Sequence, residues 1–158
     1  MKHLFQFVMI AVLLTLGVGV ATAEEKPPVV VTAVMSNAGP YGESWVLTMT
    51  PDGRVSLTVL YMGNPSGSLM ARFDLGDAAI EAIYKAITSE RFFDLPPKLE
   101  PKVLPFHKPA LQLDVRVGST HHNVNLYDPE QLGKDTTVER FRKVWNAVFA
   151  TIPLKPVW

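Results

Sequence analysis

Pro51-Asp52-Gly53 separates two stretches in which apolar and polar residues alternate with a period of two. Before it, Trp45, Leu47 and Met49 alternate with Val46, Thr48 and Thr50; after it, Val55, Leu57, Val59 and Tyr61 alternate with Ser56, Thr58 and Leu60. Successive side chains of an extended chain point to opposite faces, so residues 43–50 and 54–62 read as two half-buried strands. Proline presets the backbone of the turn and glycine takes the left-handed conformation, which closes the strands into a hairpin. One face of that hairpin is greasy and needs a cover.

The cover is legible downstream. Asp74 and Asp77 are helix start signals, and Ile80, Ile83, Tyr84 and Ile87 then fall on one helical stripe, with Glu81 and Lys85 paired on the other face. The helix is expected to stop near Arg91, ahead of Phe92-Phe93-Asp94-Leu95-Pro96-Pro97. The same order recurs. Leu111, Leu113, Val115 and Val117 alternate with Gln112, Asp114 and Arg116, Gly118-Ser119 suits a tight turn, and His122, Val124 and Leu126 share the inner face of the return strand. Thr136-x-x-Glu139 has the form of a capping box, with Glu139 and Lys143 repeating the spacing of Glu81 and Lys85. Phe141, Val144, Trp145, Val148, Phe149 and Ile152 form a wide apolar stripe that Pro153 and Pro156 end. The expected fold is α+β: an antiparallel sheet of four to six strands in ββα–ββα order, with two helices packed on one face. Val29–Ser36 is expected to add an edge strand and residues 69–73 a short one.

The chain has 158 residues, enough for one domain. Its N-terminus reads as an address. Met1-Lys2-His3 is basic, residues 4–20 are almost wholly apolar, Ala21-Thr22-Ala23 offers small residues at the cut, and Glu24-Glu25 turns polar. That order is a secretory signal peptide cleaved after Ala23, the rival being an uncleaved anchor. Residues 24–42 then form an N-terminal segment and residues 43–158 a single domain, exported to the periplasm or beyond the cell. Lys+Arg and Asp+Glu balance at 15 each, which leaves no field for nucleic acid or for an anionic membrane. With no cysteine, disulfides, thiolate metal sites and a cysteine nucleophile are excluded. An exported domain without disulfides relies on its core, which fits a bacterial source.

Candidates for chemistry are sparse. His121 and His122 are neighbours on a strand, point to opposite faces, and do not share a metal readily. The loop Gly63-Asn64-Pro65-Ser66-Gly67-Ser68 lacks the order around an activated serine and matches no phosphate-binding pattern. Asp74, Asp77, Asp114 and Asp128 are carboxylates that helix starts and a solvated strand face account for. The terminal Trp158 evokes outer-membrane barrels, but two helices occupy the length a barrel requires. No cofactor and no metal is implied.

Gly39-Pro40-Tyr41 through Pro51-Asp52-Gly53-Arg54-Val55, followed by a helix ending in Phe92-Phe93-Asp94-Leu95-Pro96, resembles a loose group of exported bacterial domains of unknown function. They share a D-G-centred hairpin, a helix and an F-x-x-L-P-like exit. The resemblance covers half of the mature chain and implies the architecture without a substrate. Some of these domains carry a cysteine pair before the first hairpin; its absence here means that no redox or tethering role transfers.

The leading functional expectation is a non-enzymatic exported module that binds a protein or envelope component. A sheet covered on one side leaves its other face free, with Arg116, Asn123, Asn125 and Tyr127 as candidate contacts, and the edge strand is open to strand addition. Between the two units, residues 96–109 hold a proline every four or so positions, which denies helix and ladder hydrogen bonds. This stretch is a crossover strap or an exposed binding loop, with Lys102, Phe106 and His107 as its candidate contacts. The alternatives are a small hydrolase using a carboxylate with His121 or His122, an inhibitor inserting the strap into a secreted enzyme, and a face covered by a self-dimer.

Overall fold

The computed structural model describes residues 26–37, 42–61 and 68–153. The signal segment at 1–23, Gly39-Pro40-Tyr41, the loop 63–67 with Ser66, and Trp158 lie outside the described residues.

The first hairpin is built by β2 (Glu43–Met49) and β3 (Arg54–Tyr61), paired in register from Glu43↔Tyr61 to Met49↔Val55. Gly53 takes φ +80° in the turn, and a Cβ there would lie 2.8 Å from Ile80 Cδ1 and 3.0 Å from the Leu75 carbonyl oxygen. Only glycine meets both demands without strain. Beside it, the Thr50 hydroxyl and the Arg54 guanidinium each donate to Asp52 at 2.6 Å, and together they hold its carboxyl down to about 2.

The remaining elements are β1 (Val29–Ser36), β4 (Leu69–Asp74), α1 (Asp77–Ser89), a 3-10 turn (Phe92–Asp94), β5 (Lys98–Leu99), β6 (Ala110–Val117), β7 (Thr120–Tyr127) and α2 (Thr136–Ala150). Among the described residues these strands form one seven-stranded sheet in the order β4-β3-β2-β1-β6-β7-β5. This corrects the expected fold class in three respects. There are seven strands rather than four to six, the sheet is mixed because β5 runs parallel to β7, and four strands precede α1 where a ββα–ββα order has two.

Two physical reasons account for the differences. Alternation shows which face of a strand is buried but not how many neighbours it has. Val29–Ser36 therefore looked like an edge and is the central strand, where Val31 faces Met49 on one side and Val115 on the other. Proline removes a donor but keeps its carbonyl, so the Pro97 oxygen accepts from the Asn125 amide at 2.9 Å and starts a two-residue ladder inside the proline-rich stretch.

Val31, Ala33, Leu47, Leu57, Leu113, Val115, Val124 and Leu126 are buried on one sheet face. Ile83 and Ile87 of α1 and Phe141, Val144, Trp145 and Val148 of α2 join them in a single core. Each such valine, leucine, isoleucine or phenylalanine side chain stabilises the fold by about 1.5–3 kcal/mol relative to leaving it in water. Trp145 stacks between Phe141 and Phe149 along α2, with centroids 6.1 and 4.4 Å away.

The helix details depart from the expected local pairs. The cap of α2 is Asp135, one residue before the Thr136 of the expected box; its carboxylate accepts from the Thr137 amide at 2.8 Å, which pulls its pKa below the ordinary carboxylate range. Glu139 pairs with Arg142, Lys143 with Glu90, and Glu81 with Lys26, so neither Glu–Lys spacing forms its own pair. Arg140 donates to the carbonyls of Glu90 and Arg91 at 2.7 Å, tying α2 to the end of α1, where Arg91 adopts a left-handed backbone at φ 50°.

Candidate functional site

Burying one face of the sheet leaves the other as a half-buried plain of Val30, Thr32, Val34, Val46, Thr48, Ser56 and Thr58 from β1 to β3. Register extends its rows across the whole sheet. One row runs Met70–Thr58–Val46–Val34–Gln112–Asn125–Lys98, and the next runs Arg72–Ser56–Thr48–Thr32–Asp114–Asn123.

On the second row, Asp114 organises the β6–β7 side. Its carboxylate lies 2.9 Å from His121 Nε2 and accepts from Asn123 Nδ2 at 3.2 Å. A carboxylate oxygen accepts here, so the hydrogen of this contact sits on Nε2 of the imidazole. The side chains of His121 and Asp114 are 47% and 37% exposed, on the flat of the sheet. Among the described residues, no hydroxyl bonds to His121. Arg116 faces His121 in the adjacent row and is exposed.

His122 points the other way, into the core. Its Nε2–H donates to the Leu95 carbonyl at 2.7 Å, and its ring meets Phe92 edge-on at 5.8 Å. Asp128 is buried at the end of β7 with φ 48°, where it accepts weakly from the Gln131 amide at 3.4 Å. Along β7 it is five residues from Asn123, the partner of Asp114, which places the two carboxylates roughly 17 Å apart. Asp114, Asp128 and a histidine therefore do not converge. Among the described residues no three His, Asp or Glu side chains form a group able to hold a metal ion.

A concave site does form at the opposite corner of the open face. The proline-rich stretch leaves β5, crosses the end of β7 and returns as β6. Its two ends are tied to β7 by backbone bonds, Asn125 N–H to Pro97 O and Asp128 N–H to Pro109 O at 3.0 Å. Between them the Tyr127 hydroxyl donates to the Pro105 carbonyl. The result is a cleft of about 400 Å³, with Asn125, Tyr127, Ala110 and Lys98 as its floor and Glu100, Leu104, Pro105 and Phe106 as its wall.

Of the seven candidate contacts read from sequence, Tyr127, Asn125 and Phe106 are brought together in this cleft. Lys102 and His107 lie on the strap but do not line it, and His107 takes φ 58° beside Phe106. Asn123 is committed to Asp114, and Arg116 stands at the far end of the face. Sequence reasoning missed Lys98, Glu100, Leu104, Pro105 and Ala110 because the β5–β7 pairing that assembles them was not legible. The run Val103-Leu104-Pro105-Phe106, apolar within a frame of prolines, was the available signal.

No protein-family model matches the chain, and a search of curated proteins finds no match to it. Among the described residues no helix is long and apolar enough to cross a membrane.

Proposed function

We propose that this chain is an exported, non-enzymatic binding module that holds a protein partner of the cell envelope on the open sheet face, anchored in the cleft beneath the strap. The observation that carries the reading is the convergence of Tyr127, Asn125 and Phe106 in one concave site with an apolar wall and a polar floor. A cleft of this size takes one or two side chains of a partner, and Asn125 and Lys98 supply polar groups to orient them. The plain of valines and threonines beside the cleft offers a flat surface for the rest of the contact. Export rests on the leader pattern of residues 1–23.

The experiment compares envelope proteins retained by the wild-type chain and by an Asn125→Ala/Tyr127→Ala double variant. A partner retained by the first and lost by the second is the expected result. Equal retention, or no retained partner, refutes the reading.

The hydrolase alternative draws on one observation, the Asp114–His121 pair, which orients an imidazole as a general base would be oriented. It predicts that Asp114→Asn abolishes an ester or glycoside hydrolysis found in the purified chain. The binding reading predicts no such activity in either protein.

A further inference from the structure

The long free edge of the sheet belongs to β4, which among the described residues is paired to β3 alone. The opposite edge, β5, is two residues long and continues into the strap. Register shows which backbone groups β4 turns outward. Leu75 N–H donates to the Gly53 carbonyl at 2.9 Å, and this pair lies one step beyond Arg54↔Asp74. Hydrogen-bonded and non-hydrogen-bonded pairs alternate along an antiparallel ladder, so Ala71 and Phe73 turn their N–H and C=O groups to β3. Met70, Arg72 and Asp74 present theirs to the free edge. Their side chains share the open face of the sheet, beside Thr58, Ser56 and Arg54.

We infer that β4 pairs antiparallel with β4 of a second copy of this chain, about a twofold axis at Phe73. Charge selects both the occupant and the register. Charged residues on an edge ordinarily repel an incoming strand. An antiparallel copy instead sets Arg72 opposite Asp74, and Asp74 opposite Arg72, when Phe73 meets Phe73. With the axis one residue earlier Arg72 meets Arg72, and one residue later Asp74 meets Asp74. An axis between residues brings outward groups against groups already turned to β3. Arg72 and Asp74 are both exposed, and among the described residues neither side chain makes a hydrogen bond or an ion pair. Asp74 lies across from Arg54, whose guanidinium is already held by Asp52 at 2.6 Å.

The rest of the strand fits the same axis. Phe73 is half-buried against its own core and meets its mate in a non-hydrogen-bonded pair, where Cα atoms approach to about 4.5 Å and aromatic pairs stabilise a ladder. Met70, 66% exposed, comes opposite Gly76 of the second copy, where the backbone is extended and a Cβ would meet nothing within 4 Å. A single strand pair is smaller than a standard interface of about 1,600 Å², so the dimer is a weak one. The inference goes beyond the proposed partner site, because β4 and the cleft lie at opposite sides of the sheet and both clefts stay open. Counted along the joined sheet they stand roughly 50 Å apart, which gives the dimer two attachment points.

The test uses the full chain in a mild detergent that disperses the apolar 4–20 stretch, with association read by sedimentation velocity at low ionic strength. Arg72→Asp places like charges opposite one another on both sides of the axis, and so does Asp74→Arg. Each single variant is expected to self-associate about tenfold more weakly than wild type. An equimolar mixture of the two restores opposite charges at both positions and is expected to recover the wild-type affinity as a heterodimer, which also shows that both variants are folded. The chain has no cysteine, so Phe73→Cys reads the register: oxidation is expected to link it as a dimer, while Ser56→Cys on the open face stays unlinked. A wild-type chain that is monomeric up to about 1 mM, single variants that associate as wild type does, or a mixture no stronger than its parts overturns the inference. Linkage through Ser56→Cys in place of Phe73→Cys shows face-to-face association and overturns it as well. Asn125→Ala/Tyr127→Ala is expected to leave association unchanged, so the cleft reading and this one fail separately.

Discussion

Tyr127→Phe isolates the bond that holds the middle of the strap. The two ends of the strap are anchored to β7 by backbone hydrogen bonds at Pro97 and Pro109, and neither involves a side chain. Between those anchors, the Tyr127 hydroxyl on the Pro105 carbonyl is the hydrogen bond that joins strap to sheet among the described residues. Phenylalanine keeps the ring on the cleft floor and removes only the donor. The released carbonyl is at a solvent-accessible loop and rehydrates, so the net loss is that of an ordinary intramolecular hydrogen bond, about 1 kcal/mol. That corresponds to roughly a fivefold rise in the population of the undocked strap. The Lys102–Val103 bond lies in the strap and is a trypsin site, whereas Lys108 is protected by the proline that follows it. Tryptic cleavage needs a segment of chain to detach, so its rate follows the open population when reclosing is fast. The expected outcome is cleavage after Lys102 about fivefold faster in Tyr127→Phe, with the urea midpoint of global unfolding unchanged. Equal cleavage rates refute the claim that this bond docks the strap. A matching fall in global stability would show instead that strap and core unfold as one unit.

Two further predictions test the frame that carries the site. Gly53→Ala forces a side chain into a left-handed turn and against Ile80, and is expected to cost about 2–3 kcal/mol, read as a drop of roughly 5–10 °C in Tm; a loss below about 1 kcal/mol contradicts the turn geometry. Asp135 has its acidity strengthened by the Thr137 amide in the folded state, so its contribution to stability is present above the ordinary carboxylate value and is lost as pH falls toward the folded one. Asp135→Ala is therefore less stable than wild type in urea at pH 6, the gap closes as the pH drops below about 4, and Asp135→Asn, which caps without titrating, holds its stability through that range.

Local rules carried a good part of this molecule. The hairpin around Gly53, the strands on either side of Gly118-Ser119 and the two apolar helical stripes all follow from residue spacing, because the direction of a side chain is set by its own backbone. The inward histidine was legible for the same reason: His122 shares parity with Val124 and Leu126, and parity alone sends it to the core. The cap of α2 was misplaced by one residue because Thr136 and Asp135 both have capping chemistry, and only the backbone angles choose between them.

Partnership between distant segments obeys no such local rule. Val29–Ser36 has the pattern of any half-buried strand, and its place in the middle of the sheet depends on β2 and β6 competing for its two edges. The two-residue pairing of β5 with β7 rests on one proline carbonyl meeting one amide across 28 residues of chain, a match no periodicity encodes. That meeting turns a proline-rich connection into the wall of a cleft that Phe106 and Tyr127 line together. Alternation along the chain says which way each residue looks; which strangers it looks at is settled by the packing of all the layers at once.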